Sequence, residues 1–439
     1  MLAEFVSNNA VAISGTLLLL AYIFIATEKI PKMTIAFLGA SITVILGLVS
    51  QAKTLENGLN PNYFINFVDF NVIFLLVSMM IIVTITTKSG VFSWLANELL
   101  KLTKGRPIRI LFTLGLFTAI VSAFLDNVTT VILVMPITFA IAKELEINPI
   151  PYLLTEIFAS NIGGTATLIG DPPNIIIGSA AGFSFMDFVK ELTPVIAVIL
   201  IIVLSLLALI FRKKLQTTQE KMNKISLIDN SKTITDKPLM LRSIFVLTLV
   251  ILGFVLHDVI HIETCIVAML GASILLLFEK PTEILKEVEW NTIFFFIGLF
   301  IIIGGLEASG GIKLMAQWII DVTQGSQSAT SMIILWASGI ISGIIDNIPY
   351  TATMSPMLVA IEEQMGHAYT YPLWWALSLG ACLGGNMTII GAAANVIVSE
   401  YANSKGYPIS FLGFMKYGVL IVAISLAIST AYIYFKFLG

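Results

Sequence analysis

Long apolar segments recur along the sequence, and they constrain the fold more than any other feature. Such runs occupy residues 10–26, 33–50, 71–87, 193–211, 242–257, 263–279, 291–307 and 409–437. A helix needs about 20 apolar residues to cross a bilayer. Because the bilayer core offers no water to backbone N–H and C=O groups, segments of this kind cross it as helices. We therefore predict an all-α polytopic membrane protein.

The composition excludes a soluble globular protein. Hydrophobic residues make up 57% of the 439 residues and charged residues 12%, about half the charged fraction of a typical soluble domain. The basic residues cluster beside apolar runs, so we interpret them as topology signals and predict no nucleic-acid partner. Cys265 and Cys382 lie in separate apolar runs without metal-type spacing. We expect both to be buried packing residues.

An internal duplication divides the chain. The string SNIGGTATLIGDPPNIIIGSAAG at 160–182 recurs as ACLGGNMTIIGAAANVIVSEYA at 381–402, with a constant offset of 221 (384 − 163). The pairs Asn71/Asn291 and Asp126/Asp346 recur at an offset of 220 (291 − 71 and 346 − 126). We predict a first transmembrane repeat at 1–211, a basic linker at 212–241 and a second repeat at 242–439.

The charge distribution predicts opposite orientations for the two repeats. Each repeat contains five crossings and one hairpin, and an odd number of crossings inverts the second repeat. The lysine-rich linker, the stretch 88–109 and the lysines Lys29 and Lys32 are assigned to the cytoplasm by the positive-inside rule. The first hairpin (108–142) should then open from the cytoplasm and the second (329–364) from outside. We place the protein in the plasma membrane as a multi-pass protein.

Two aspartates begin the second legs of the hairpins. The aligned strings are DNVTTVILVMP from Asp126 and DNIPYTATMSP from Asp346. A carboxylate at bilayer depth costs about 2.5–3.5 kcal/mol on insertion scales. One explanation is that each aspartate caps the following helix. We favour carboxylates that bind Na⁺ or carry a proton, helped by Asn127 and Asn347; Thr129 and Thr351 are further candidates at the tips.

Each repeat also contains an interrupted span, at 149–180 and 371–402. Glycines there allow the backbone to approach a ligand closely, and Pro172-Pro173 should stop the first helix. Freed carbonyls favour a cation, and half-helix N-termini favour an anion. The candidate ligand-binding residues of the two interruptions are Gly164, Thr165, Thr167, Asn174, Gly385, Asn386, Thr388 and Asn395.

Asp171 breaks the symmetry of the repeats, because Ala392 stands at the equivalent position. Two explanations remain open at this point. The carboxylate titrates as part of ion coupling, or it caps a short helix starting near Asn174. We include Asp171 among the candidate ion-binding residues.

Four strings carry a resemblance to a known group: FLDNVTTVILVMPIT (124–138), NIGGTATLIGDPPNIII (161–177), IDNIPYTATM (345–354) and GACLGGNMTIIGAAANV (380–396). The sequence resembles the ion transporter superfamily, and within it the arsenite permease and sodium/proton antiporter branch. It is most similar there to prokaryotic relatives of the mammalian P protein (pink-eyed dilution). The resemblance implies inverted repeats, two re-entrant hairpins, a homodimer and an elevator-like movement of the hairpin region against a scaffold.

The hairpin tips depart from the dicarboxylate carriers of that superfamily, which have Ser-Asn-Thr there. This chain has Asp126-Asn127-Val128 and Asp346-Asn347-Ile348. A carboxylate in place of a hydroxyl repels citrate or succinate unless the aspartates are protonated or hold cations. Arsenite remains a candidate substrate.

These observations predict a secondary active transporter that couples an inorganic ion, such as an oxyanion or Na⁺, to H⁺ or Na⁺ by alternating access. A strict Na⁺/H⁺ antiporter and an anion channel of the P-protein type are the alternatives. An intramembrane aspartyl protease would need Gly-x-Gly-Asp, whereas Leu168-Ile169-Gly170 precedes Asp171. We therefore predict no enzymatic activity and no cofactor beyond the coupling ion.

Overall fold

The computed structural model of the protein describes residues 2–27, 29–49, 64–225, 230 and 233–439. Within these ranges the chain is helical and contains no β-strand. Seven of the described helices are long and apolar enough to cross a membrane, and three apolar helices are shorter. The predicted all-α polytopic membrane fold is confirmed.

The helices of the first half run from the N-terminus to the predicted linker. They are α1 (Leu2–Asn8), α2 (Ala10–Thr27), α3 (Lys32–Ile45), α4 (Phe70–Lys88), α5 (Val91–Leu102), α6 (Pro107–Ser122), α7 (Asn127–Leu145), α8 (Ile150–Gly164), α9 (Pro172–Ala181), α10 (Phe185–Glu191) and α11 (Thr193–Phe211). A short 3₁₀ turn, Ile65–Phe67, precedes α4.

The linker contains α12 (Gln219–Ile225), while its residues 226–229, 231 and 232 lie outside the described part of the chain. The second half consists of α13 (Lys237–Val255), α14 (His257–Ile260), α15 (Thr264–Leu276), α16 (Pro281–Ile284), α17 (Trp290–Ala308), α18 (Gly311–Val322), α19 (Gln327–Ser342), α20 (Asn347–Met365), α21 (His367–Gly384), α22 (Ala393–Ser404) and α23 (Phe411–Ile433). A π-helical turn, Tyr434–Leu438, ends the chain.

Helix boundaries repeat between the halves as the sequence does. The helices α4, α5, α6 and α7 begin 220 residues before α17, α18, α19 and α20 (290 − 70, 311 − 91, 327 − 107 and 347 − 127). Gly90 and Gly310, with φ values of 80° and 87°, make the same left-handed turn before α5 and α18. Glycine adopts this conformation without steric penalty. The opposite orientation of the halves in a membrane stays a prediction.

The two halves pack on each other reciprocally. Helix α3 of the first half packs on α17 of the second, and α15 packs on α4. A Cβ added at Gly39 would lie 2.5 Å from Ile302, and one at Gly271 would lie 3.3 Å from Ile82. Gly39 corresponds to Gly271 and Ile82 to Ile302, so each contact recurs with the partners exchanged. Such exchange is typical of units related by a two-fold axis.

The predicted hairpins correspond to α6–α7 and α19–α20. In the first hairpin the second leg, α7, is longer than predicted. It begins at Asn127 rather than near 131 and ends at Leu145 rather than near 142. Asp126 caps α7 directly at the tip, so helical hydrogen bonding starts there. Pro136 lies inside α7 without ending it.

The predicted breaks fall between α8 and α9 and between α21 and α22. The role given to Pro172-Pro173 was wrong, because α8 already ends at Gly164 and the two prolines begin α9. Proline is well tolerated in the first turn of a helix, where N–H groups have no helical partner. The non-helical stretch between Gly164 and Pro172 is thus longer than the prolines suggested.

Helices α3 and α15 are shorter than the crossings predicted at 33–50 and 263–279. With 14 and 13 residues, they span roughly 20 Å at 1.5 Å per residue, less than the bilayer core of about 30 Å. The difference for α3 lies at its end, since the helix begins at Lys32 as predicted and stops at Ile45, where the chain turns through Gly47 with a φ of 70°. Its first residue, Lys32, lines an interior cavity that is described next.

Candidate functional site

A cavity of about 90 Å³ lies between the two hairpin tips, where α7 and α20 begin. It has room for several water molecules. Its polar lining includes Lys32, Asp126, Asn127, Asp171, Glu289, Thr292, Asp346 and Asn347, and its apolar lining includes Leu76, Met80 and Phe295. The duplicated tips and the break containing Asp171 therefore meet at one place, as the sequence predicted.

Asp126 is held by its own helix. Its Oδ1 accepts a hydrogen bond from the Thr129 backbone N–H at 2.8 Å, and its Oδ2 accepts one from the Thr129 hydroxyl at 2.6 Å. This is an N-cap that satisfies a helix donor otherwise without a partner. The capping explanation thus describes what the carboxylate does in this conformation, and ion binding stays a prediction.

Asp346, the equivalent residue, is held differently. Its Oδ1 accepts from the Ile348 backbone N–H at 3.1 Å, one position earlier than in α7, because Pro349 has no N–H to offer. Its Oδ2 forms an ion pair with the Lys32 ammonium. The Asp346 side chain is 2% exposed and that of Lys32 is 27% exposed. One tip carboxylate is therefore neutralised by a lysine from α3.

Asp171 lies between the two tips. The Asn127 amide donates to its Oδ1 at 3.5 Å, and the Asn347 amide donates to its Oδ2 at 3.4 Å. Its side chain makes no capping bond, so the capping alternative is wrong. Pro172 and Pro173 follow it and have no N–H to offer, while the Asn174 N–H bonds to the Asp171 carbonyl. The carboxylate therefore does not cap α9 and instead accepts hydrogen bonds from the tip amides.

An asparagine that sequence reasoning missed joins the two breaks. The Asn161 amide donates to Asn386 Oδ1 and to Asn395 Oδ1, both at 2.9 Å, and its own Oδ1 accepts from Asn127 at 3.2 Å. The buried Asn386 amide nitrogen has no hydrogen-bond partner among the described residues. The first hairpin tip is thus connected to the second break through amide side chains.

The position equivalent to Asn161 is Cys382 (161 + 221), which the sequence analysis treated as a packing residue. Cys382 is buried as expected, and its Sγ lies 3.5 Å from Asn174 Oδ1. The Ser378 hydroxyl donates to the same oxygen at 2.6 Å. Each break asparagine, Asn174 and Asn395, is therefore held by a residue of the other half.

The remaining predicted residues brace the breaks rather than line the cavity. The Asn174 amide donates to the carbonyls of Thr165 and Thr167 at 3.1 and 2.9 Å. The Asn395 amide donates to the carbonyls of Gly385 and Thr388, at 2.7 and 2.8 Å. The bond to Thr388 is the equivalent of the bond to Thr167, whereas Gly385 lies one position before the counterpart of Thr165. An unwound backbone at bilayer depth needs such internal partners.

Threonines anchor each break to the hairpin of its own half, at equivalent positions in the two halves. The Thr167 hydroxyl donates to the Ala123 carbonyl, and the Thr388 hydroxyl donates to the Gly343 carbonyl. At the second tip, the Thr351 hydroxyl donates to the Asn347 carbonyl at 2.8 Å. These side chains hold the backbone in shape around the cavity.

The break glycines serve backbone packing. A Cβ at Gly164 would lie 2.7 Å from the Gly170 carbonyl oxygen, and one at Gly385 would lie 3.1 Å from that of Gly391. The close approach that we predicted from these glycines is an approach of one end of each break to the other. The structure does not place either glycine at the cavity wall.

Two charged residues of the cavity were not predicted as part of a site. Lys32 was interpreted as a topology signal, and Glu289 drew no attention. Glu289 accepts a hydrogen bond from the Thr292 hydroxyl at 3.0 Å. Both lie at the start of a helix far from the tips in sequence, so no local motif marks them. Among the described His, Cys, Asp and Glu residues, no group of three or more is placed to hold a metal ion.

A family model described as "Citrate transporter" matches residues 22–380. The 46 kDa membrane protein of Mycobacterium leprae is 40% identical over 432 residues, covering 97% of this chain and 99% of its own. The human P protein is 30% identical over 507 residues, covering 97% of this chain and 60% of its own. The relationship to the P protein that the motifs predicted is confirmed.

The crystal structure of the Alcanivorax borkumensis YdaH transporter has a similar fold. Its TM-score is 0.58 at 12% sequence identity, and the match covers 97% of each chain. The similarity in fold therefore extends over almost the whole protein. The expectation that the protein is not an enzyme is confirmed by the transporter family whose model matches the sequence. The chain belongs to the citrate transporter family.

Proposed function

We propose that the protein is a secondary active transporter that moves an inorganic ion, coupled to Na⁺ or H⁺, by alternating access. One observation carries this proposal. Three aspartates line one cavity at the hairpin tips together with Glu289: Asp171 and Asp346 are buried, and Asp126 is half-buried. In the described part of the chain, Lys32 is the one basic residue that forms an ion pair with any of these carboxylates. Such a site favours a small cation.

The excess of carboxylates decides which cargo the cavity favours. A citrate trianion would enter a small space whose aspartates repel it, and like-charge contact disfavours binding by several kcal/mol. We therefore propose Na⁺ or H⁺ as the coupling ion, with Na⁺ itself or an oxyanion such as arsenite as cargo. Citrate is the competing cargo because of the family's description, and it belongs in the same test.

A second cavity supports alternating access. It has a volume of about 180 Å³ and is lined by Asn71, Ser179, His257 and Thr264. Thr264 begins α15 at the position equivalent to Lys32 in α3 (264 − 32 equals 270 − 38), so the two cavities occupy equivalent places in the halves. Of these two cavities, the one lined by the three aspartates reaches the hairpin tips, and the one lined by Thr264 does not. A rocking or elevator movement would open the second cavity to the tips and close the first.

The proposal includes a plasma-membrane location with a cytoplasmic linker, and a homodimer. The linker lies against α5 and the end of α7: Asn230 donates to Glu98 at 2.9 Å, and Lys221 pairs with Glu146 at 2.6 Å. Hydrogen bonds from Lys101 and Asn230 lower the pKa of the Glu98 carboxyl. These contacts join the two lysine-rich regions on one face, which the positive-inside rule assigns to the cytoplasm.

The function is tested with purified protein in liposomes that carry a pH gradient and an internal pH dye. Chloride salts of Na⁺, K⁺ or choline are added outside, and uptake of arsenite and citrate is followed in parallel with and without Na⁺. Collapse of the gradient by Na⁺ alone supports Na⁺/H⁺ exchange, and arsenite uptake that follows Na⁺ or H⁺ supports coupled oxyanion transport. The control Asp321→Asn removes an exposed aspartate of α18, outside the cavity, and should change nothing.

Two results would refute coupled transport. Flux that follows the membrane voltage alone, with no counter-ion, would indicate a channel of the P-protein type. Citrate uptake that is indifferent to Na⁺ and H⁺ would remove the cation-coupling role of the tip aspartates.

A further inference from the structure

We propose that the Lys32 ammonium is a built-in competitor for Na⁺ at Asp346. In the ion-free protein the ammonium stands where the cation binds, and Na⁺ binds only after displacing it. This inference rests on the proposed cation coupling and names the residue that sets its affinity.

The geometry gives Lys32 this position. Its ammonium pairs with Asp346 Oδ2, the oxygen that the helix cap does not use. The two residues come from different elements, since Lys32 begins α3 and Asp346 caps α20. Helix α3 packs on α17, whereas Asp346 belongs to a hairpin tip. A movement of the tip relative to α3 would separate the pair and free the oxygen.

The three aspartates of the cavity are not equally available to a cation. Asp126 accepts two bonds from Thr129, and Asp171 accepts from two amides. Both thus have neutral partners, while the partner of Asp346 Oδ2 carries a positive charge. A buried carboxylate stripped of its counter-charge is strongly disfavoured. Asp346 therefore exchanges one cation for another rather than standing empty.

A purely structural role explains Lys32 poorly. A positive charge in the first turn of a helix opposes the helix dipole, which favours acidic residues there. The equivalent first residue of α15 is Thr264, which is uncharged and lines the other cavity. The second half therefore forms the equivalent helix, α15, without a lysine at its start. Lys32 differs from Thr264 in forming an ion pair with an aspartate of a hairpin tip.

The inference is tested by Na⁺-dependent thermal stabilisation of the full-length protein in detergent. NaCl replaces choline chloride at constant ionic strength, and the midpoint of the stabilisation is measured. Lys32→Gln removes the competitor, so we expect its midpoint to fall about tenfold below that of the wild type. Lys29→Gln, an exposed lysine of the preceding turn, is the matched control and should keep the wild-type midpoint.

Two more variants keep the test decisive. Lys32→Arg retains the charge and can hold the carboxylate with two hydrogen bonds, so its midpoint should rise. Lys32→Gln combined with Asp346→Asn should lose the Na⁺ response. If Lys32→Gln does not fold, a higher Na⁺ midpoint in Lys32→Arg still supports the inference.

The inference fails where Lys32→Gln keeps or raises the Na⁺ midpoint, or where wild type and variants are all indifferent to Na⁺. The liposome assay separates this failure from that of the function. Proton-coupled transport by a wild type that ignores Na⁺ would leave the proposed function standing and remove only the Lys32 competition. Absence of any cation dependence in liposomes would remove both.

Discussion

Asp346→Asn should destabilise the protein more than Asp126→Asn, although the two aspartates are equivalent in the repeat. Asp126 accepts its two hydrogen bonds from Thr129. Asparagine caps helices about as well as aspartate, so its variant should lose about 1 kcal/mol or less. Asp346 also neutralises Lys32, and the asparagine variant leaves that ammonium beside the cavity without its carboxylate.

The magnitude follows from the burial of the pair. Removing one partner of a buried ion pair costs about 3–5 kcal/mol. Lys32 is 27% exposed, so water relieves part of this penalty, and we expect a loss of about 2–3 kcal/mol for Asp346→Asn. Adding Lys32→Gln removes the ammonium that has lost its pairing with the Asp346 carboxylate. The double variant should therefore be more stable than the sum of the single losses by about 2 kcal/mol, as contacting residues in a cycle show.

The assay is an SDS titration of the protein in mixed micelles, which gives the free energy of unfolding. Choline salts are used throughout so that no Na⁺ replaces the missing ammonium. Equal losses for the two asparagine variants would refute the reasoning. So would single losses that simply add in the double variant, because the ion pair would then contribute nothing.

Three further changes test other parts of the site. Pro173→Ala restores an N–H that competes for the Asp171 carboxylate, so coupled transport should fall at least tenfold while the free energy of unfolding changes by about 1 kcal/mol or less; unchanged transport would show that the orientation of that carboxylate is irrelevant. Asn161→Ala removes the donor of two buried hydrogen bonds and the acceptor of a third, and should cost about 3–5 kcal/mol in the same SDS titration, whereas a loss below 1 kcal/mol would contradict the amide connection. Gly384→Ala pushes a methyl group against the backbone of α19 and should cost several kcal/mol, while Gly15→Ala, with its nearest neighbour 4.0 Å away, should leave the melting temperature unchanged or slightly higher.

Much of the fold could be predicted because the membrane leaves few choices. Apolar runs bounded by charges give helices, and aligned glycines gave the two breaks to within a few residues. The hairpin tips followed from Asp-Asn pairs between apolar segments. These are local signals, and each recurs in the second half at a fixed offset, which doubles the evidence for it.

The sequence predictions failed for residues whose roles depend on contacts with distant parts of the chain. The prolines after Asp171 were interpreted as the end of α8, whereas they start α9. Because they have no N–H, the Asp171 carboxylate has no N–H of theirs to cap. Lys32 counted as a topology signal, since nothing near it in sequence indicates that α3 begins at a cavity. Asn161 begins the string at 161–177 but was not predicted as a site residue. A position-by-position comparison of the halves would have indicated it, because the equivalent residue, Cys382, has no amide.

Three pairs of equivalent positions differ in polar character at or near the cavity, and these differences argue for function rather than folding. Elsewhere α4 to α7 begin 220 residues before α17 to α20, and the contact of Gly39 with Ile302 recurs with exchanged partners as that of Gly271 with Ile82. An asparagine braces each of the two breaks. Three exchanges of polar character break the symmetry near the tips: Lys32 for Thr264, Asn161 for Cys382 and Asp171 for Ala392. The fold is built with either member of each pair, so stability alone does not require the difference. The two tips consequently differ in charge: Asp126 is held by its own helix, whereas Asp346 is paired with the Lys32 ammonium. Two tips that begin their helices at equivalent residues would therefore present unequal sites to a cation.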